Sequence, residues 1–144
     1  MKKILLLTVL ATGLLFSDGA SKETTAESNT TVESNAQQIK IMQSLESAMA
    51  VMQKGFLYNN VTILEKGVKD LKENLKNINS FIIQNDKRRN FNAPVYAATE
   101  TTAIALLGDK ILKAFKDGRK RKALSTYSKT LNRCVVCHKI IRKW

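Results

Sequence analysis

Five residues near the C-terminal end hold most of the soft-ligand chemistry of this chain. They are Cys134-Val135-Val136-Cys137-His138, and they contain both cysteines and the sole histidine. The pattern is C-x-x-C-H, the attachment signature of c-type haem. Its spacing has a mechanical reason: two thiols add to the two vinyl groups of a haem, and the adjacent imidazole falls beneath the iron as proximal ligand. The motif lies in a helical pattern, so Cys134 and His138, four apart, share a face with Cys137 beside them. A structural zinc site wants four Cys or His ligands, and the chain has three. A thioredoxin-like pair belongs at the start of a helix after a strand, and no strand is visible. A Cys134–Cys137 disulfide, in a haem-free basic helical adaptor, is the alternative of another class. It would strain a helix interior.

What must position this motif is a chain of 144 residues, enough for one domain. Hydrophobic residues make up 44% and charged residues 25%, an ordinary globular balance. One proline and six glycines are too few breakers for a β-sandwich. Lys2 and Lys3 precede an apolar stretch from Ile4 to Phe16, and Ser17 and Gly19 are small residues placed for cleavage. Residues 1–19 therefore read as a secretory signal peptide, too short in its apolar run to span a bilayer of ~30 Å. Residues 20–34, rich in Ser, Thr and Asn, read as a flexible polar leader that cannot bury enough surface to order itself. The folded domain is then 35–144, exported and soluble in the periplasm.

That domain divides into four helical patterns, predicting an all-α, antiparallel up-down-up-down four-helix bundle. In the first, Met42, Leu45, Met49, Met52 and Phe56 share one face, with Ser34 and Gln37 forming a capping box. The second carries Val61, Leu64, Val68, Leu71, Leu75, Ile78 and Ile82, capped by Asn60 or by Thr62 with Glu65. Residues 84–92 read as a loop. Pro94 suits the first turn of a third helix that ends at Asp117-Gly118. The fourth has Leu124, Tyr127, Leu131, Cys134, His138 and Ile141 on its seam.

A signal peptide, a four-helix bundle and a terminal-helix C-x-x-C-H together resemble the class II c-type cytochromes, the cytochrome c-prime family with its methionine-ligated low-spin relatives. The resemblance covers roughly residues 35–144. In that family the histidine is followed by two variable residues, an aromatic and an Arg; here Arg142 matches and Ile141 stands in for the aromatic. The family's first helix often carries Arg-Gln near the haem edge; here Gln43 matches and Met42 replaces the Arg. The resemblance implies one covalent haem c at the C-terminal-helix end of the bundle. The sixth coordination position is then either a methionine or open to nitric oxide or carbon monoxide.

His138 is the only histidine, so two-histidine ligation within one chain is excluded. Apart from the initiator, every methionine lies on the first-helix seam. In an antiparallel bundle the start of that helix lies level with His138, which favours Met42 as the sixth ligand, with Met49 as the alternative one turn or more deeper. The same levelling makes Leu45, Phe81, Ala98, Thr101 and Arg142 the candidate haem-pocket residues, with Ala97, Ala105 and Ile82 close by. A Met–His pair suits electron transfer, and an open site suits gas binding. Three methionines in one helix are also what an irregular core uses as filler.

The net charge is +12, and from Lys110 to Trp144 twelve basic residues face Asp117 alone. Such a face steers an acidic redox protein electrostatically, or meets an anionic membrane surface, or simply keeps the protein in solution. Nucleic acid is not expected, since export and an aromatic content of 6% leave no stacking platform. No nucleophile–base pair is readable, so an enzyme is not expected either. The reading is an exported monohaem c-type cytochrome that carries single electrons. Its partners are haem and an acidic redox protein, with a homodimer left open.

Overall fold

Four α-helices make up the computed structural model, which describes residues 25–81 and 91–142 and contains no extended sheet among them. They are α1 (Thr25–Leu57), α2 (Val61–Lys76), α3 (Ala93–Lys116) and α4 (Lys120–Arg142), with a 3-10 turn at Asn77–Ser80. Residues 1–24, which include the stretch expected to be a signal peptide, and residues 82–90, which include Ile82 and most of the expected 84–92 loop, lie outside the described residues, as do 143–144.

Local chemistry sets most of the boundaries. Asn60 is extended, and its side chain accepts a hydrogen bond from the Ile63 amide at 3.0 Å, capping α2. Asn92 does the same for α3 through the Val95 amide at 3.1 Å, with Pro94 in the first turn. Two helices end in paired reverse bonds of the Schellman type. At the end of α1, Asn59 takes φ +48° while Asn59 and Asn60 donate to the carbonyls of Phe56 and Gly55. At the end of α3, Gly118 takes φ +77° while Gly118 and Arg119 donate to Phe115 and Ala114.

Two boundaries differ from the sequence expectation. α1 starts at Thr25, upstream of the Ser34 capping box. α2 leaves α-geometry at Lys76, and the apolar pattern continues through the 3-10 turn, where Ile78 is still buried. Asn77 and Asn79 are poor helix formers at that point.

The core is drawn from all four helices and includes Met52, Leu64, Leu71 and Ile111, none of them exposed. α1 and α2 approach until glycine is required. A Cβ on Gly67 would lie 2.7 Å from the Met52 amide nitrogen, and one on Gly55 would lie 2.7 Å from that of Leu64. α2 and α3 are tied by Lys116 to Glu65 at 3.1 Å and Lys72 to Asp109 at 2.6 Å.

The buried face of α4 is wider than the expected seam. Tyr127 and Cys134 pack against the core as expected, but Leu124 is exposed, and Ala123, Thr126 and Thr130 are buried beside them. Thr126 donates to the Lys122 carbonyl at 2.8 Å and Thr130 to that of Thr126 at 3.0 Å. With their hydroxyls satisfied inside the helix, these threonines pack as small core residues. A hydropathy pattern scores them as polar and so selects the neighbouring leucines.

At one end, Phe56 packs edge-on against Phe115 and Tyr127, both at 5.5 Å between ring centroids. The Tyr127 hydroxyl donates to the Met49 carbonyl at 3.2 Å, joining α4 to α1. Beyond that bond the two helices make no extensive backbone contact. Among the described residues no helix is long and apolar enough to cross a membrane.

Gly67→Ala should cost about 1–3 kcal/mol, because the Met52 amide nitrogen at 2.7 Å and the Ala48 carbonyl oxygen at 3.0 Å crowd the Cβ position along with the Met52 side chain. Leu124→Ser should stay within about 0.5 kcal/mol. Urea unfolding of both variants checks the helix contact and the exposure of Leu124 together.

Candidate functional site

The helices line a cavity of about 590 Å³, within the range of roughly 300–1,000 Å³ typical of cofactor and ligand pockets. α4 contributes Cys134, Cys137 and His138, with Leu131, Val135 and Ile141 around them. α1 contributes Met42, Leu45 and Met49, together with Gln38 and Glu46. Leu71 and Leu75 of α2 form the floor with Ile78 and Phe81. α3 supplies Ala97, Glu100, Thr101 and Ile104. The half-exposed Leu131 stands on this wall, so part of its exposure is to the cavity.

Of the residues singled out from the sequence, Cys134, Cys137, His138, Met42, Met49, Leu45, Phe81 and Thr101 all meet in this one cavity. Ala98 does not. It is exposed, and its carbonyl accepts hydrogen bonds from Thr101 and Thr102, both at 2.9 Å. Ala97 takes the pocket position instead. Levelling the helices fixes height along the bundle but not direction around it, and one residue turns the direction by about 100°. The side chain of Arg142 lies outside the described residues.

Sequence reasoning missed Gln38, Glu46 and Glu100. The signal for the two carboxylates was present in periodicity. Glu46 stands four residues after Met42 and three before Met49, and Glu100 stands three after Ala97 and four before Ile104. Both follow the inner spacing of their helices, and their charge hid them. Glu100 is held by Arg133, whose guanidinium donates to both carboxylate oxygens at 2.9 and 2.8 Å. The Glu100 side chain is only 12% exposed.

Burial sets the state of the sulfurs. It pushes the Cys134 thiol up to about 11, with the neighbouring Cys137 adding to the rise. Burial also raises Cys137, helped by the Glu100 carboxylate. Both are free thiols on consecutive turns of an unbroken helix. At neutral pH they carry their protons, which does not suit thiolate redox or thiolate–metal chemistry. Among the described residues no group of three or more His, Cys, Asp or Glu could hold a metal ion by itself. Two protonated thiols and one imidazole on the wall of an apolar cavity are instead donors that fit a covalently anchored haem.

No family model matches the chain, and no curated protein or solved structure does.

In haem-free protein carrying Cys137→Ala, Cys134 should react slowly with iodoacetamide at pH 7 and titrate well above the free-cysteine value of ~8.5. Because the folded value is the higher one, the stability contributed by the protonated thiol is complete below about 9 and is lost as pH rises through about 11. Alkylation kinetics followed by mass spectrometry read the first effect, and urea unfolding across that window reads the second. Half-reaction at the free-cysteine value would put the sulfur in solvent rather than on the cavity wall.

Proposed function

We propose that this protein is an exported monohaem c-type cytochrome, a single-electron carrier of the class II type. Its architecture is an antiparallel up-down-up-down bundle with the haem at the C-terminal end of the last helix. The observation that carries the reading is the meeting of both thiols, the only imidazole and two methionines of α1 on one cavity wall. The crossing pairs Glu65–Lys116 and Lys72–Asp109 support antiparallel neighbours. So do Gly67 beside Met52 and Ala48, Glu100 beside Arg133, and Tyr127 beside Met49. The apolar stretch behind Lys2 and Lys3 supports export to the periplasm.

Haem bound here supplies a one-electron couple at its iron. The chain's own residues do the rest. Cys134 and Cys137, both protonated, would hold the haem through two thioether bonds, each thiol supplying its sulfur and its hydrogen to one vinyl group, so that no external oxidant would be needed. The His138 imidazole, on the turn that follows Cys134, would supply a nitrogen ligand to the iron. Leu71, Leu75, Ile78 and Ile104 keep water from the cavity floor. Arg133 neutralises Glu100, the carboxylate closest in charge effect to Cys137.

The contact of Tyr127 with Met49 favours Met42 as the sixth ligand. Stepping seven residues from it, toward the start of α1 and the end of α4, sets Met42 level with Cys134, one turn from His138. Met49 lies ~10 Å deeper. The exposed Lys139 beside the motif supplies positive charge at the rim, where an acidic redox protein would dock.

Expressed in a host that matures c-type cytochromes, the protein should gain the mass of one haem and give a low-spin spectrum when reduced. Cys134→Ser with Cys137→Ser should abolish the covalent adduct. Met42→Ala should convert the spectrum to high-spin and open the iron to carbon monoxide, with thioether attachment unchanged. A low-spin spectrum that survives Met42→Ala and vanishes in Met49→Ala moves the ligand to Met49. Rapid carbon monoxide binding by the unaltered protein would favour a gas-binding role, and colourless protein with its two sulfurs joined would end the haem reading.

A further inference from the structure

The end of the bundle remote from the cavity presents a surface that electron transfer through the haem does not use. At the α1–α2 turn, Leu57 is 75% exposed and Tyr58 is 64% exposed, and Val61 beside them is exposed as well. A single exposed leucine is unremarkable on any protein. Here an adjacent Leu and Tyr form the tip of a tight turn, held by the left-handed Asn59 and the Asn60 cap. The α3–α4 turn lies alongside, since Phe56 touches Phe115 and Lys116 reaches Glu65.

Around this tip the charge is strongly one-sided. Segments 54–66 and 113–124 hold eight Lys or Arg against Glu65 and Asp117, a net of +6. Glu65 pairs with Lys116, and Asp117 with Lys113 and Arg119. Lys120, Arg121 and Lys122 follow in succession and are exposed. Lys54 lies 5.5 Å above the Tyr58 ring, so cation and aromatic ring share one site.

We propose that this end docks on an anionic lipid bilayer surface. Leu57 and Tyr58 enter the interfacial layer, where tyrosine's apolar ring and polar tip are both satisfied. The surrounding Lys and Arg side chains meet lipid phosphates. A bilayer takes a convex tip without a shaped partner surface, whereas a protein interface requires a complementary one. The cavity, at the opposite end, then faces away from the bilayer toward soluble partners. The proposal stands whether or not haem is bound.

The test is co-sedimentation of the mature chain, residues 20–144, with phosphatidylcholine vesicles, with and without phosphatidylglycerol. Binding should require phosphatidylglycerol and weaken as salt is raised. The double variant Leu57→Ser, Tyr58→Ser should lower partitioning at least about tenfold. Glutamine at Lys120, Arg121 or Lys122 should lower it about fivefold each. All these side chains are exposed, so circular dichroism should be unchanged. Residues 1–19 are left out because the apolar segment Ile4–Phe16 would bind phosphatidylcholine as well and mask the comparison. Tyr58→Trp should add a fluorescence component that shifts to the blue with anionic vesicles only. Equal sedimentation with phosphatidylcholine alone would overturn the proposal. So would anionic binding indifferent to Leu57 and Tyr58, which would leave a purely electrostatic surface of the kind an acidic protein uses.

Discussion

Phe56 meets Phe115 and Tyr127 edge-on, and the Tyr127 hydroxyl closes on the Met49 carbonyl. This junction joins α1, α3 and α4 at one end of the protein, and the rest of the structure depends on it. Edge-to-face aromatic pairs give about 0.5–1.5 kcal/mol each beyond the area they bury. Below the junction, α1 stays close to α2 through Gly55 and Gly67, while α4 packs along α3 and buries Ala123, Thr126 and Thr130. α1 and α4 share little backbone contact. The cavity is the space that this arrangement leaves.

An apolar cavity in a helical protein needs a reason to remain open, because burial favours collapse. Two features resist collapse here. Glu100 is held on the wall by the two-pronged contact with Arg133, and driving a charged pair into an apolar interior would be costly. The bulk of the wall comes from residues already committed elsewhere: Leu71, Leu75 and Ile104 pack in the main core as well as on the cavity floor. Burial also keeps the two sulfurs protonated, so the reactive positions are guarded by the packing that shapes the site.

The molecule is polar in a second sense, along its length. The donor groups and the carboxylates Glu46 and Glu100 lie toward one end, and the excess of Lys and Arg with the Leu57–Tyr58 tip lies at the other. Most of the ion pairs are half-exposed and contribute little to stability individually. Their effect is to use up Glu65 and Asp117 and leave an unbalanced positive surface.

Much of the structure was legible in the sequence because it depends on residues close together along the chain. The all-helical class, the four helices, the Asn60 cap, Pro94 in the first turn of α3 and the stop at Asp117-Gly118 all follow from spacing and local backbone chemistry. The grouping of Cys134, Cys137 and His138 follows in the same way, since three or four residues along a helix determine a face. Direction around a helix is another matter. Whether Ala97 or Ala98 faces the cavity, whether Leu124 or Ala123 enters the core, and whether Glu100 is inside depends on how closely neighbouring helices approach. That approach is set by glycines, threonines with internally bonded hydroxyls and ion pairs between distant residues, none of which a hydropathy pattern registers. Local order is thus written in the chain, while the cavity and the identity of its walls arise only when four helices choose their mutual rotation.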